Sequence, residues 1–206
     1  MNNFNVKYLQ SFGWEGSLRG MRNPLESHYR SDSVFNNSML GVIGENDMKL
    51  CKQLIKAGAS HRKFLRQIHV HADVTASMMF WKEFDTYRYT TQNSTSMMHT
   101  LGKRLLTKDD FSGIDDDDLT SVNVKINLYR AAKKKNHVDL ETYWRKMISA
   151  VPQSYLYTRT IDMSYETFFT MYKNRKNHKL DEWVEFCSIL RSDLSYMNVF
   201  LSVLEV

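Results

Sequence analysis

Between Ile68 and Tyr87 the chain changes its hydrophobic period from two residues to three or four, and one element of secondary structure cannot hold both. Ile68, Val70, Ala72 and Val74 alternate with Gln67, His69, His71 and Asp73, the pattern of a strand with one buried face. From Ala76 the apolar positions become Met79, Phe80, Phe84 and Tyr87, the stripe of a helix, with Thr75 placed as its N-cap. A strand running straight into a helix requires a fold that mixes the two. Next comes a run with almost no apolar side chains, Tyr89-Thr-Thr-Gln-Asn-Ser-Thr-Ser96. It offers hydroxyls, amides and backbone N–H groups but little to pack, so it is expected to be a loop that is solvated or holds a ligand.

The rest of the chain adds helices around that junction. Two prolines and eight glycines in 206 residues leave few helix breakers. Met48, Cys51, Leu54 and Ile55 form a stripe over 46–57, which Gly58 is placed to end. Phe4, Val6 and Tyr8 alternate in a short strand over 4–12; a short helix follows near 15–21, and the remainder up to residue 37 reads as loop. A helix is expected over 95–105, then a capped turn at Thr107, which has Asp110 three residues on. Leu119, Val122, Ile126 and Tyr129 share one face of a helix over 117–134. Another helix carries Leu140, Tyr143, Trp144, Met147 and Ile148 and should stop before Pro152. Tyr155, Tyr157, Arg159 and Ile161 alternate in an extended segment over 154–162. Helices over 164–176 and 180–193 follow, joined by Asn177-His178-Lys179. The expected class is α+β: one helix-rich domain over 1–206 with a small mixed or antiparallel sheet.

Several function classes are disfavoured. The N-terminus has no apolar run suited to a signal peptide or a membrane span, which places the expected protein in the cytosol. Cys51 and Cys187 lack metal-ligand spacing and read as reduced, buried thiols. His69 and His71 share the polar face of a strand with no third ligand, so a solvent-facing pair is expected rather than a metal site. The acidic run Asp115 to Asp118 reads as a helix N-terminus, because successive helical side chains diverge by about 100° and cannot converge on one ion. Lys133 to Lys135 fit the other end of the same helix. Gly41-Val-Ile-Gly44 is no phosphate loop, and no glycine-rich dinucleotide motif follows a strand. The net charge of +5 allows an anionic partner, but the basic residues are dispersed, which argues against direct nucleic-acid binding.

The order of His61-Arg-Lys-Phe-Leu-Arg66, the strand, the helix and the polar run resembles that of the flavin-dependent thymidylate synthases. Those enzymes carry Arg-His-Arg, seven residues and then Ser. Here Thr86-Tyr87-Arg88 falls on the triplet and Ser96 on the serine, with seven residues between Arg88 and Ser96. Farther on, Leu156-Tyr157-Thr158-Arg159 and a helix with Arg175, His178 and Trp183 look like the family's C-terminal region. The chain is similar to a divergent phage and Firmicutes branch in which a KEFDTY type of sequence replaces the usual motif.

The resemblance implies a homotetramer binding FAD at sites shared between subunits and methylating dUMP reductively, with methylenetetrahydrofolate as carbon donor and NADPH as reductant. It implies catalytic roles for Arg88 and Ser96, and nucleotide contacts from Glu83, Arg88, Ser96 and Arg175. His61, Tyr87, Asn93 and Ser94 fall where the family holds flavin. Thr86 and Met98 depart from it, each standing where the family has an arginine. Two other functions follow from those departures: modification of another pyrimidine nucleotide, or a non-catalytic nucleotide-binding or interaction protein on the same fold.

Overall fold

The computed structural model describes residues 3–36 and 39–205, which fall into two compact units. One unit comprises Val6–Asp73, Tyr87–Gln92 and Thr160–Val206, and the other Met1–Asn5, Val74–Thr86 and Asn93–Arg159. A four-stranded sheet has the order β1-β4-β6-β5, with β1 Asn5–Phe12, β4 His69–Ser77, β5 Thr90–Ser94 and β6 Leu156–Ser164. Side-chain pairs show that β4 and β6 are antiparallel. Thr75 Oγ1 meets Thr158 Oγ1 at 2.7 Å, and Thr160 Oγ1 donates to Asp73 at 2.6 Å. Farther along, His69 Nδ1 lies 2.9 Å from Asp162. Numbers rise on one strand as they fall on the other.

The alternation expected over 67–74 is realised: Val70, Ala72, Val74 and Ala76 are buried, while His69, His71 and Asp73 are half-buried. The strand extends farther than expected, however. Thr75 is not the helix cap; its hydroxyl is engaged by Thr158, and the cap is Ser77, whose Oγ accepts from the Phe80 amide. The helix is α3, Met78–Phe84. The polar run is not a loop either, since it forms β5, whose residues are exposed or half-buried. Backbone pairing at a sheet edge needs no apolar face, so periodicity gave no sign of it.

In the unit that includes residues 6–73, α1 (Trp14–Gly20) precedes β2 (Val34–Asn36), which lies where a loop was expected and pairs antiparallel with β3 (Met39–Val42); Asn37, the last residue of that expected loop, lies outside the described residues. Then come α2 (Glu45–Lys56) and, later in the chain, α7 (Tyr165–Arg175), α8 (Asp181–Asp193) and α9 (Met197–Ser202). Its core is aromatic: Trp14 meets Tyr165 edge-on at 5.3 Å, and Phe168 and Trp183 each meet Phe186. Gly13 has φ 87° and sits against the Gln67 carbonyl, where a Cβ would come within 2.3 Å. Under α1, Arg22 donates through Nε to Asp47 at 2.6 Å, and both side chains are buried.

In the other unit, α4 (Met97–Thr100) is only one turn, followed by a 3₁₀ turn over Leu101–Lys103 rather than a helix reaching 105. Gly102 there lies against Tyr129, whose ring a Cβ would meet at 2.6 Å. Next come α5 (Asp116–Lys134) and α6 (Leu140–Ile148). Asp115 caps α5 by accepting from the Asp118 amide at 2.8 Å, and Thr107 with Asp110 forms a capping box. Leu101, Leu106, Phe111, Val122, Ile126 and Met147 make the core. Among the described residues no helix is long and apolar enough to cross a membrane, and no group of three His, Cys, Asp or Glu is placed to hold a metal.

Candidate functional site

Arg175 stands on the last turn of α7, where a cation suits the helix C-terminus. Its Nε donates to the Tyr87 hydroxyl at 2.9 Å. The guanidinium lies 5.7 Å from the Tyr87 ring centroid and 5.1 Å from that of Trp183 on α8. The two rings are 5.9 Å apart and tilted by 60°. Nη1 of Arg175 is 2.8 Å from His178 Nε2, while the Leu180 amide donates to His178 Nδ1 at 3.2 Å. A neutral imidazole has one acceptor nitrogen, so it can serve only one of these two donors. The sequence-expected Tyr87 and Arg175 are thus brought together, with His178 and Trp183 around them.

Arg88 follows Tyr87 and is exposed, with no hydrogen bond or ion pair among the described residues. Its neighbour Tyr89 takes φ 65°, a left-handed turn that leaves its ring 89% exposed. His61 is also exposed, and its backbone N–H bonds to the Gly58 carbonyl at 2.9 Å. Arg62, beside His61, is committed elsewhere: it donates to both carboxylate oxygens of Glu166 on α7, at 2.8 and 3.0 Å.

In the other unit, Asn93 and Ser94 end β5 as exposed side chains, and Ser96 caps α4. The Ser96 hydroxyl makes no capping bond; its carbonyl takes the Thr100 hydroxyl at 2.8 Å. The backbone here is fixed by the Thr95 amide, which donates to the Thr158 carbonyl at 2.9 Å. Glu83 lies on the last turn of α3, half-buried, and its carbonyl accepts from the Thr86 hydroxyl at 2.7 Å. Thr86 and Met98 are exposed.

A second cationic group was not anticipated as a site. Arg159 on β6 is 14% exposed and donates to Asp85 at 2.6 Å and to the Tyr157 hydroxyl at 2.7 Å. Its guanidinium lies 4.5 Å from the Trp81 ring centroid, and Trp81 Nε1 donates to the Tyr157 carbonyl at 3.1 Å. Burial works against its charge, but the bonds to Asp85 and Tyr157 raise its pKa and secure the cation. Two signals for it stand in the sequence: its place between Tyr157 and Ile161 on alternate positions of a strand, and the resemblance of Leu156-Tyr157-Thr158-Arg159 to the family's C-terminal region. Both groups present arginine against aromatic faces, an arrangement that suits planar anions and phosphates.

No family model and no curated protein matches the chain. Solved structures do. Thymidylate synthase X (ThyX) from Helicobacter pylori, with FAD and dUMP, is similar at a TM-score of 0.68 and 14% identity, over 98% of this chain and 99% of that one. A further structure of the flavin-dependent thymidylate synthase from that organism, complexed with FAD and dUMP, gives 0.68 and 14% over 96% and 97%. The UMP/dUMP methylase PolB from Streptomyces cacaoi, bound with 5-Br dUMP, gives 0.65 and 11% over 97% and 94%. This chain therefore has the ThyX fold.

Proposed function

We propose that this chain is a flavin-dependent methylase of a pyrimidine nucleotide, performing reductive methylation of dUMP with carbon from methylenetetrahydrofolate and reducing power from NADPH. The supporting observation is the Tyr87, Arg175 and Trp183 group, set in a fold whose solved examples hold FAD and dUMP. The donor set suits an anionic nucleotide: Arg88 offers an exposed guanidinium with no protein anion among the described residues, and Asn93, Ser94 and Ser96 offer short polar side chains.

In this reading Arg88 and Arg175 bind phosphate or an anionic pyrimidine oxygen, Ser96 orients the nucleotide, and Glu83 accepts a hydrogen bond from it. His61, Tyr87, Asn93 and Ser94 contact the flavin, which supplies the hydride when bound. Exposed residues such as His61 and Arg88 fit sites shared between the subunits of a cytosolic homotetramer. PolB, described as a UMP/dUMP methylase, supports a second reading in which another pyrimidine nucleotide is the substrate. The test is to purify the protein with added FAD, record the flavin spectrum, and follow tritium release from dUMP or UMP labelled at C5. Bound flavin with release from dUMP is the expected result. Release from UMP alone selects the second reading, and failure to bind flavin overturns both.

A further inference from the structure

On the unit that includes α2 and α9, Lys49, Lys52 and Lys56 line one face of α2. They are spaced by three and four residues, so they share that face over about 10 Å of helix. All three are exposed, and none has an acidic partner among the described residues. Beneath them a hollow of about 530 Å³ opens between α2 and α9, floored by Val199 and Val203. Gln53 and Asn198 add side-chain amides to its wall. Asn198 Oδ1 is occupied by Arg191 Nε at 2.8 Å, which leaves its NH₂ group as the donor available to a ligand. An adjoining hollow of about 420 Å³ shares Lys49 and Lys52 and carries the carboxylate of Glu45 at its other end.

We propose that this groove is a binding site for a nucleoside polyphosphate, separate from the residues assigned to methylation. Three ammonium groups spread along roughly 10 Å match a chain of phosphates rather than a single one, which one or two lysines would satisfy. Glu45 repels phosphate from its end and sets the polyphosphate toward Lys52 and Lys56. The valine floor receives the flat face of a base, and the two amides meet its polar edge. No aromatic side chain lines the groove, so it lacks the stacking platform that single-stranded nucleic acid uses.

The full-length protein is titrated with a fluorescent methylanthraniloyl derivative of ATP, then competed with ATP, inorganic tripolyphosphate, adenosine and dUMP. ATP should displace the probe, tripolyphosphate should do so roughly tenfold less well or worse, and adenosine and dUMP should leave it bound. Lys52→Glu and Lys56→Glu lie on the solvent side of a helix and should weaken the probe by about tenfold or more with an unchanged circular dichroism spectrum. Arg175→Ala should bind it as the parent does. Absence of binding, indifference to both lysine variants, or equal competition by tripolyphosphate would overturn the proposal. Loss of the probe to dUMP or in Arg175→Ala would also overturn it, by moving the nucleotide to the methylation site.

Discussion

Tyr87 and Arg175 are 88 residues apart in sequence and joined by one hydrogen bond and one cation–π contact. Tyr87→Phe keeps the ring and removes the bond, so folding should change by no more than about 1 kcal/mol in urea titration. Under the proposed function its FAD affinity should fall several-fold by calorimetry; unchanged affinity would remove Tyr87 from the site. The pairing was not legible locally, because no periodicity links residues so far apart. What the sequence did show was the order Arg175, His178, Trp183 and the Arg88-to-Ser96 spacing, each a short-range pattern. Asp47 went unnoticed for the opposite reason, since it looks like an ordinary acid in the first turn of a helix. It is buried, and besides Arg22 it accepts from the Ser31 and Ser33 hydroxyls at 2.8 and 2.6 Å. Burial pushes its pKa up, but the bonds from Ser33, Ser31 and Arg22 outweigh that and hold it below the ordinary 3.8. Asp47→Ala strands a buried guanidinium and should cost about 3–5 kcal/mol. The sign of the pH effect follows from the lowered native pKa: the contribution is complete above the unfolded value and disappears as pH falls through the native one. The stability gap between parent and variant should therefore narrow in acid below about pH 4.

At the scale of elements, the junction of β4 and α3 turns on which hydroxyl caps the helix. Thr75 and Ser77 are both good capping residues, and only pairing with β6 decides between them, by engaging Thr75 with Thr158. Ser77→Ala should thus cost about 1 kcal/mol through the lost cap, in addition to any other bond that buried hydroxyl makes. Thr75→Val removes one half-buried side-chain bond while keeping a β-branched strand residue, and should cost less. Thermal denaturation of the two variants checks the order, and the reverse ranking would place the cap at Thr75. Elements with a one-sided apolar stripe, such as α2, α6 and the buried face of β4, were legible for that reason. β5 was not, because its five residues carry Thr, Gln, Asn and Ser on both faces and so show no apolar period.

At the scale of the molecule, the two units are linked by strands that pass through both. β4 crosses from one to the other at Asp73 and Val74, and β6 at Arg159 and Thr160. The thiols report on one unit only: Cys51 on α2 and Cys187 on α8 are 0% and 1% exposed, and burial pushes each pKa up to about 12. Near neutral pH neither presents thiolate to a labelling reagent in the native state, so labelling requires that unit to open. A strand cannot lose its pairing on one side of Asp73 while the next residue keeps an unbroken ladder, unless the ladder frays at that point. The expected outcome is one cooperative transition. Thiol labelling across a urea series should show the same midpoint as far-ultraviolet circular dichroism, which reports on the helices of both units. Hydrogen exchange sharpens the comparison, because Val70 and Ala72 belong to one unit and Val74 and Ala76 to the other. Their amides should share one opening free energy; two tiers divided at Asp73 would show instead that each unit unfolds alone.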